Sequence, residues 1–170
     1  MSSTATNKQP LLIDRPLFEQ VMIGAVAGLT TSTNWATPGT DCEPLVEGGS
    51  EGACVDSVEI LTTQASTTTS NVLLFMSTAA DKTGINATNT HCVCSAQITA
   101  GLGDRVTFEL PGINAPVPQI GGVTAPDADD KKNTALYVPK NKVLYVGLDV
   151  ALCAPNLTCR VIVSAQGGYY

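Results

Sequence analysis

Charge is scarce in this chain. Asp, Glu, Lys and Arg together make up 14% of its 170 residues, against roughly 25% in soluble proteins generally. Positive charge is scarcer still, with 9 Lys and Arg set against 15 Asp and Glu. No window clusters the basic residues with aromatics, so a nucleic-acid groove is excluded and no DNA or RNA partner is expected. Aromatic residues reach only 5%, with a single Trp, too few for the lined-up platform of a typical carbohydrate-binding surface. Histidine occurs once, which leaves little material for general acid-base chemistry. Long apolar runs are missing as well. The longest candidate, Val21 to Leu29, is short and broken by Gly24 and Gly28, far below the ~20 residues of a membrane-spanning helix, so no membrane partner is expected. The first ten residues lack a basic region leading into an apolar run, and synthesis in a cytoplasm is expected.

What is present is small, weakly polar and strand-forming. Hydrophobic residues account for 44%, enough for one real core at this length. The period-two alternation of a half-buried strand recurs from Val55 onward. Between Lys142 and Val150, Leu144, Val146, Leu148 and Val150 share one face, and Tyr145, Gly147 and Asp149 the other. Val161, Val163 and Ala165 repeat the pattern opposite Arg160, Ser164 and Gln166. Strands are predicted at 58–63, 71–78, 91–100, 105–110, 136–138, 142–150 and 158–166, separated by turn residues. Seven short strands with little helical periodicity predict an all-β chain, an antiparallel β-sandwich or jelly-roll-like domain over 55–170.

The region before it reads differently. Residues 1–23 are expected to form an extended N-terminal arm, whose apolar residues Leu11, Leu12, Ile13, Leu17 and Phe18 lack an evident strand partner and are candidates for gripping another protein. Asp14, Pro16 and Glu19 carry helix-start signals and predict a short helix through about Ile23. Residues 24–54, rich in Gly, Thr, Ser, Pro and Glu, are expected to form a loop-rich segment, a long loop or irregular hairpin.

Six cysteines are an even number that would signal disulfides in an oxidising compartment. Cys42 and Cys54 would close a loop of about 13 residues, which contributes on the order of 3 kcal/mol. Cys153 and Cys159 flank Ala-Pro-Asn-Leu-Thr, a plausible hairpin turn. Cys92 and Cys94 sit in His91-Cys92-Val93-Cys94. On a regular strand His91 faces away from both thiols, while Cys92 and Cys94 share one face with Ala96 and Ile98, so buried thiols or a disulfide are expected there rather than a nucleophile or zinc site. Asn86-Ala-Thr and Asn156-Leu-Thr match the glycosylation sequon by chance and read as turns. The acidic run at Asp127, Asp129 and Asp130 lacks the remainder of a calcium loop. Gly101-x-Gly103 precedes a strand rather than a helix and reads as a hairpin turn. No catalytic, metal-binding or cofactor-binding residue is expected.

Three features carry a resemblance: Val138-Pro139, the following strand Val143 to Val146, and a final strand closing on Gly167-Gly168-Tyr169-Tyr170. Across about 55 to 170 the chain resembles small β-sandwich structural proteins of tailed bacteriophages, which decorate or cement capsids or occur in tail assemblies. The resemblance implies a non-enzymatic virion protein on the outer surface of the capsid. Its expected partners are the major capsid protein and copies of itself, grouped as a homotrimer. A tail, neck or host-attachment component and a secreted carbohydrate-binding module are the alternative expectations. Assembly in a reducing cytoplasm followed by release would also reconcile the cysteine count with the absence of a leader.

Overall fold

The computed structural model describes residues 15–24, 42–63, 68–99, 105–108, 110, 135–150 and 160–170. Its strands are β1 (Arg15–Gly24), β2 (Glu43–Glu47), β3 (Ala53–Thr62), β4 (Ser70–Ser77), β5 (Thr90–Ile98), β6 (Arg105–Thr107), β7 (Leu136–Val138), β8 (Val143–Leu148) and β9 (Arg160–Tyr169). One sheet runs β1-β9-β3-β6, with β7 also paired to β3, and the second runs β2-β8-β4-β5. All pairings are antiparallel. The chain is therefore all-β, two antiparallel sheets packed as a sandwich. With β6 and β7 sharing the place beyond β3, the strand order is that of a double-sheet jelly roll.

The core lies between the sheets. Val72, Leu74 and Met76 of β4 and Leu144, Val146 and Leu148 of β8 meet Val55, Val58 and Ile60 of β3 and Val161, Val163 and Ala165 of β9. Burial of a Val, Leu or Ile side chain is worth about 1.5–3 kcal/mol before entropy is counted, so this layer is the main stabilising element. In β3 the register shifts between Val55 and Ser57. The inward residues are Ala53 and Val55 before the bulge at Asp56, and Val58 and Ile60 after it. The bulge presses the Cys54 carbonyl over β9 at Gly167, where an added Cβ would lie 1.9 Å from that oxygen. Only glycine fits there.

Three expectations are corrected. Leu17 and Phe18 are not part of an arm, and the helix through Ile23 is a strand. Residues 15–24 form β1, which pairs with β9 in ten unbroken register positions. Its alternation sends Leu17 and Ile23 into the core and leaves Phe18 and Met22 outside, a period of two that the helix-start residues do not override. Leu17 is thus a core residue of the chain's own sandwich, while Leu11, Leu12 and Ile13 lie outside the described residues. Second, 42–54 is neither a long loop nor a hairpin, because β2 and the start of β3 fall within it and join different sheets.

Third, the hairpins expected between β5 and β6 and between β8 and β9 are crossings between sheets, as is the β7–β8 connection. Among the described strands only β4 and β5 are sequence neighbours paired directly with each other. The turn between β7 and β8 closes with Lys142 N donating to Pro139 O at 3.0 Å, and Asn141 supplies its left-handed residue at φ 58°. The Gly101 to Gly103 turn, the acidic run at 127–130 and the Cys153 to Cys159 segment lie outside the described residues.

Candidate functional site

A concavity opens at one end of the sandwich, between the start of β1, the end of β2, the β2–β3 turn and the C-terminal residues. It has a volume of about 760 Å3 and is lined by Arg15, Glu19, Glu47, Glu51, Tyr169 and Tyr170 among others. Each group arrives there for a structural reason. Glu19 falls on the inward row of β1 between Leu17 and Val21, yet it remains exposed and lines the cleft. Glu47 ends β2, and the turn that follows brings up Glu51. Gly52 turns the chain with φ 105°, and its missing Cβ makes room for the Tyr137 hydroxyl. Tyr170 N then donates to Gly52 O at 3.2 Å, which ties the last residue to that turn.

The tyrosines are held in specific contacts. Tyr169 donates its phenol to Glu19 Oε1 at 2.9 Å, and the Arg15 guanidinium sits 4.5 Å from the centre of the Tyr169 ring, a cation-π arrangement. Burial, followed by the hydrogen bond to Glu19 and its charge, pushes the Tyr169 pKa up to about 12. Tyr170 stacks obliquely on Tyr137 with ring centres 6.0 Å apart. Its own pKa is raised by burial and by its contact with Cys54. Phenols held this firmly in the protonated state act as hydrogen-bond groups and ring surfaces, not as bases. The cleft therefore combines three carboxylates, one guanidinium and tyrosine rings, a set suited to holding a polar ligand by hydrogen bonds and stacking.

The cysteines are distributed widely. Cys42 is fully buried with Leu73, Phe75, Val143 and Tyr145 on the outer side of the second sheet. Cys54 faces out from the first sheet, where its thiol lies 3.6 Å from Asp56 Oδ1 and burial raises its pKa. The two stand on opposite outer faces of a sandwich whose sheets are ~10 Å apart, beyond disulfide reach. The expected Cys42–Cys54 closure is not present, and neither thiol is in a disulfide.

Cys92 and Cys94 are not in a disulfide either, and they do not share a face. The β4–β5 register shifts between Leu74 and Phe75, so that Phe75 opposes Cys92 and Leu74 opposes Cys94. This bulge around Val93 turns Cys92 toward the Phe75 and Tyr145 cluster and Cys94 toward the inter-sheet core. The Cys92 thiol donates to the Cys94 carbonyl at 3.5 Å, and burial raises its pKa. His91 is exposed opposite Met76. Cys153 and Cys159 lie outside the described residues. Among the described residues no three His, Cys, Asp or Glu side chains gather in a way that could hold a metal ion.

Sequence reading missed the cleft because its residues come from three separated stretches that only the sheet order brings together. The one local signal was the terminal Tyr-Tyr pair after Gly167-Gly168. No family model matches this chain, and no curated protein matches it.

Proposed function

We propose that this chain is a non-enzymatic virion structural protein, a capsid cement or decoration subunit that stabilises a phage head by bridging capsid proteins. The observation that supports it most is the double-sheet jelly-roll strand order, an architecture shared by viral capsid and lectin domains. Because a fold hosts many functions, that support is an analogy and needs the surface beside it. The surface agrees: few charges, a net charge of -6, and exposed apolar residues on one sheet face. A subunit that binds only the assembled lattice stabilises it by mass action. Leu11, Leu12 and Ile13 precede β1 and would extend that contact onto the capsid.

The test is gold labelling of purified particles with an antibody to the chain, together with reconstitution of stripped heads. Regular labelling over the head, and recovery of heat resistance when the chain is added back, is the expected result. Label confined to tails assigns the protein to a tail or neck instead, and absence of the chain from particles overturns the virion reading.

The cleft supports a second reading, a carbohydrate-binding module. Tyrosine rings beside Glu19, Glu47 and Glu51 are the groups such a site uses for stacking and hydroxyl recognition. Saturation-transfer NMR against a panel of oligosaccharides tests it. Signal that disappears in Tyr170→Ala would favour this reading, and silence across the panel would remove it.

A further inference from the structure

Strand β1 forms the outer edge of its sheet, paired on one side with β9 and, among the described residues, with no strand on the other. Natural proteins protect such edges with lysines, bulges, prolines or short strands. β1 is ten residues long, contains no Lys, shows no register shift against β9, and has one Pro at its second position. Among the described residues it is a regular template for another strand, its mid-strand protection being the single charge of Glu19 on the inward row.

The two most exposed large hydrophobic residues among those described both lie on it, Phe18 at 66% and Met22 at 56%. Both occupy its outer face, with Gln20 midway between them. That spacing is symmetric about Gln20. When two antiparallel copies of β1 meet with Gln20 opposite Gln20, Phe18 of each copy stands opposite Met22 of the other, and both exposed apolar side chains are covered at once. No other strand needs this symmetry, which argues for a second copy of this chain as the occupant.

We propose that β1 is the seam of a twofold homodimer in which the two sheets join edge to edge into one continuous sheet centred on Gln20. The overlap runs from Pro16 to Gly24, about 30 Å of strand. With the two Phe–Met contacts it buries on the order of 1,000 Å2 in total, the lower bound for a specific interface, so a reversible dimer is expected. The apolar row of Met22, Ile162 and Leu61, aligned across β1, β9 and β3, is continued across the seam by Phe18 of the other copy. This proposal stands on the sheet edge and does not depend on the virion reading.

The test uses the full chain in solution. Light scattering at ~100 μM should give twice the chain mass of 17.6 kDa, falling to the monomer on dilution. Phe18→Lys and Met22→Lys, both at exposed positions, should weaken dimerisation by about tenfold or more while leaving the circular dichroism spectrum and melting temperature unchanged. Gln20→Cys should cross-link to itself on mild oxidation, since opposed Cα atoms in an antiparallel pair lie about 4.5–5.5 Å apart, within disulfide range. Ser164→Cys, one strand further in, should not cross-link. A chain that stays monomeric at that concentration overturns the proposal. So does a dimer that ignores both lysine substitutions, or one in which Gln20→Cys fails to cross-link.

Discussion

The two outer faces of this sandwich are built from similar strands and end in opposite states. On the second sheet, Leu73 and Phe75 of β4 and Val143 and Tyr145 of β8 point away from the main core, yet all are buried, and with Cys42 they make a second apolar cluster. The cover includes the β4–β5 connection, from which Ile85 packs onto the cluster and Ala79 accepts the Tyr145 hydroxyl at 3.0 Å. Asp81 caps the short 3-10 turn at Lys82–Gly84, accepting from Thr83 N at 2.9 Å and Gly84 N at 3.2 Å. On the first sheet the corresponding face carries Phe18, Met22 and Leu61 in the open. A strand's alternation fixes which side chains leave the core, and the connections decide whether those side chains meet protein or solvent. A face left apolar and uncovered is where a partner is expected.

Substitutions that remove atoms from each face should break this contrast most sharply. Tyr145→Ala empties the second cluster and should cost about 3–5 kcal/mol in urea unfolding, whereas Met22→Ala should stay within about 0.5 kcal/mol in the monomer. Equal losses would mean that the two faces are equally packed. Gly167→Ala leaves both faces untouched and instead drives a methyl group into the Cys54 carbonyl. The β3–β9 ladder must shift to admit it, at about 1–3 kcal/mol, and a neutral result would show that the bulge at Asp56 yields freely.

Tyr145→Phe isolates the tie between the covered face and its lid. It retains the ring, removes the bond to Ala79 O, and should cost about 1 kcal/mol. Titration should give a related and smaller signal. Burial first, with nearby Cys42 and carboxylate charges adding to it, pushes the Tyr145 pKa up to about 12. Its folded value exceeds the ordinary 10.0, so its contribution is complete below about pH 10 and is lost as pH rises toward about 12. Tyr145→Phe should flatten that alkaline decline. At the other end, hydrogen bonds from Thr83 and Gly84 hold the exposed Asp81 carboxyl below its usual value. Its contribution is present at neutral pH and lost on acidification, and Asp81→Asn should change the acid limb only slightly.

The strands from β3 onward were legible because alternation and turn residues are local properties. Which sheet each strand joined was not, since pairing is decided by partners far along the chain. β1 escaped notice because Asp14, Pro16 and Glu19 imitate a helix start, while the period-two burial of Leu17 and Ile23 emerges only against β9. β2 is five residues long and contains a proline, too little pattern to separate from loop. The alternation of β8 was visible, but the complete burial of Tyr145 was not, because its cover arrives from the β4–β5 connection. Cys92 and Cys94 were misplaced for a similar reason, since a bulge is a property of two strands and one strand alone does not announce it.

The contrast between the faces is tested most directly by hydroxyl-radical footprinting of the dilute, monomeric full chain, read residue by residue by mass spectrometry. Phe18 and Met22 should label rapidly, while Phe75, Tyr145 and the core residue Met76 stay protected until the chain unfolds. Fast labelling of Phe75 and Tyr145 in the folded monomer, or protection of Phe18 and Met22 at dilution, would contradict the account.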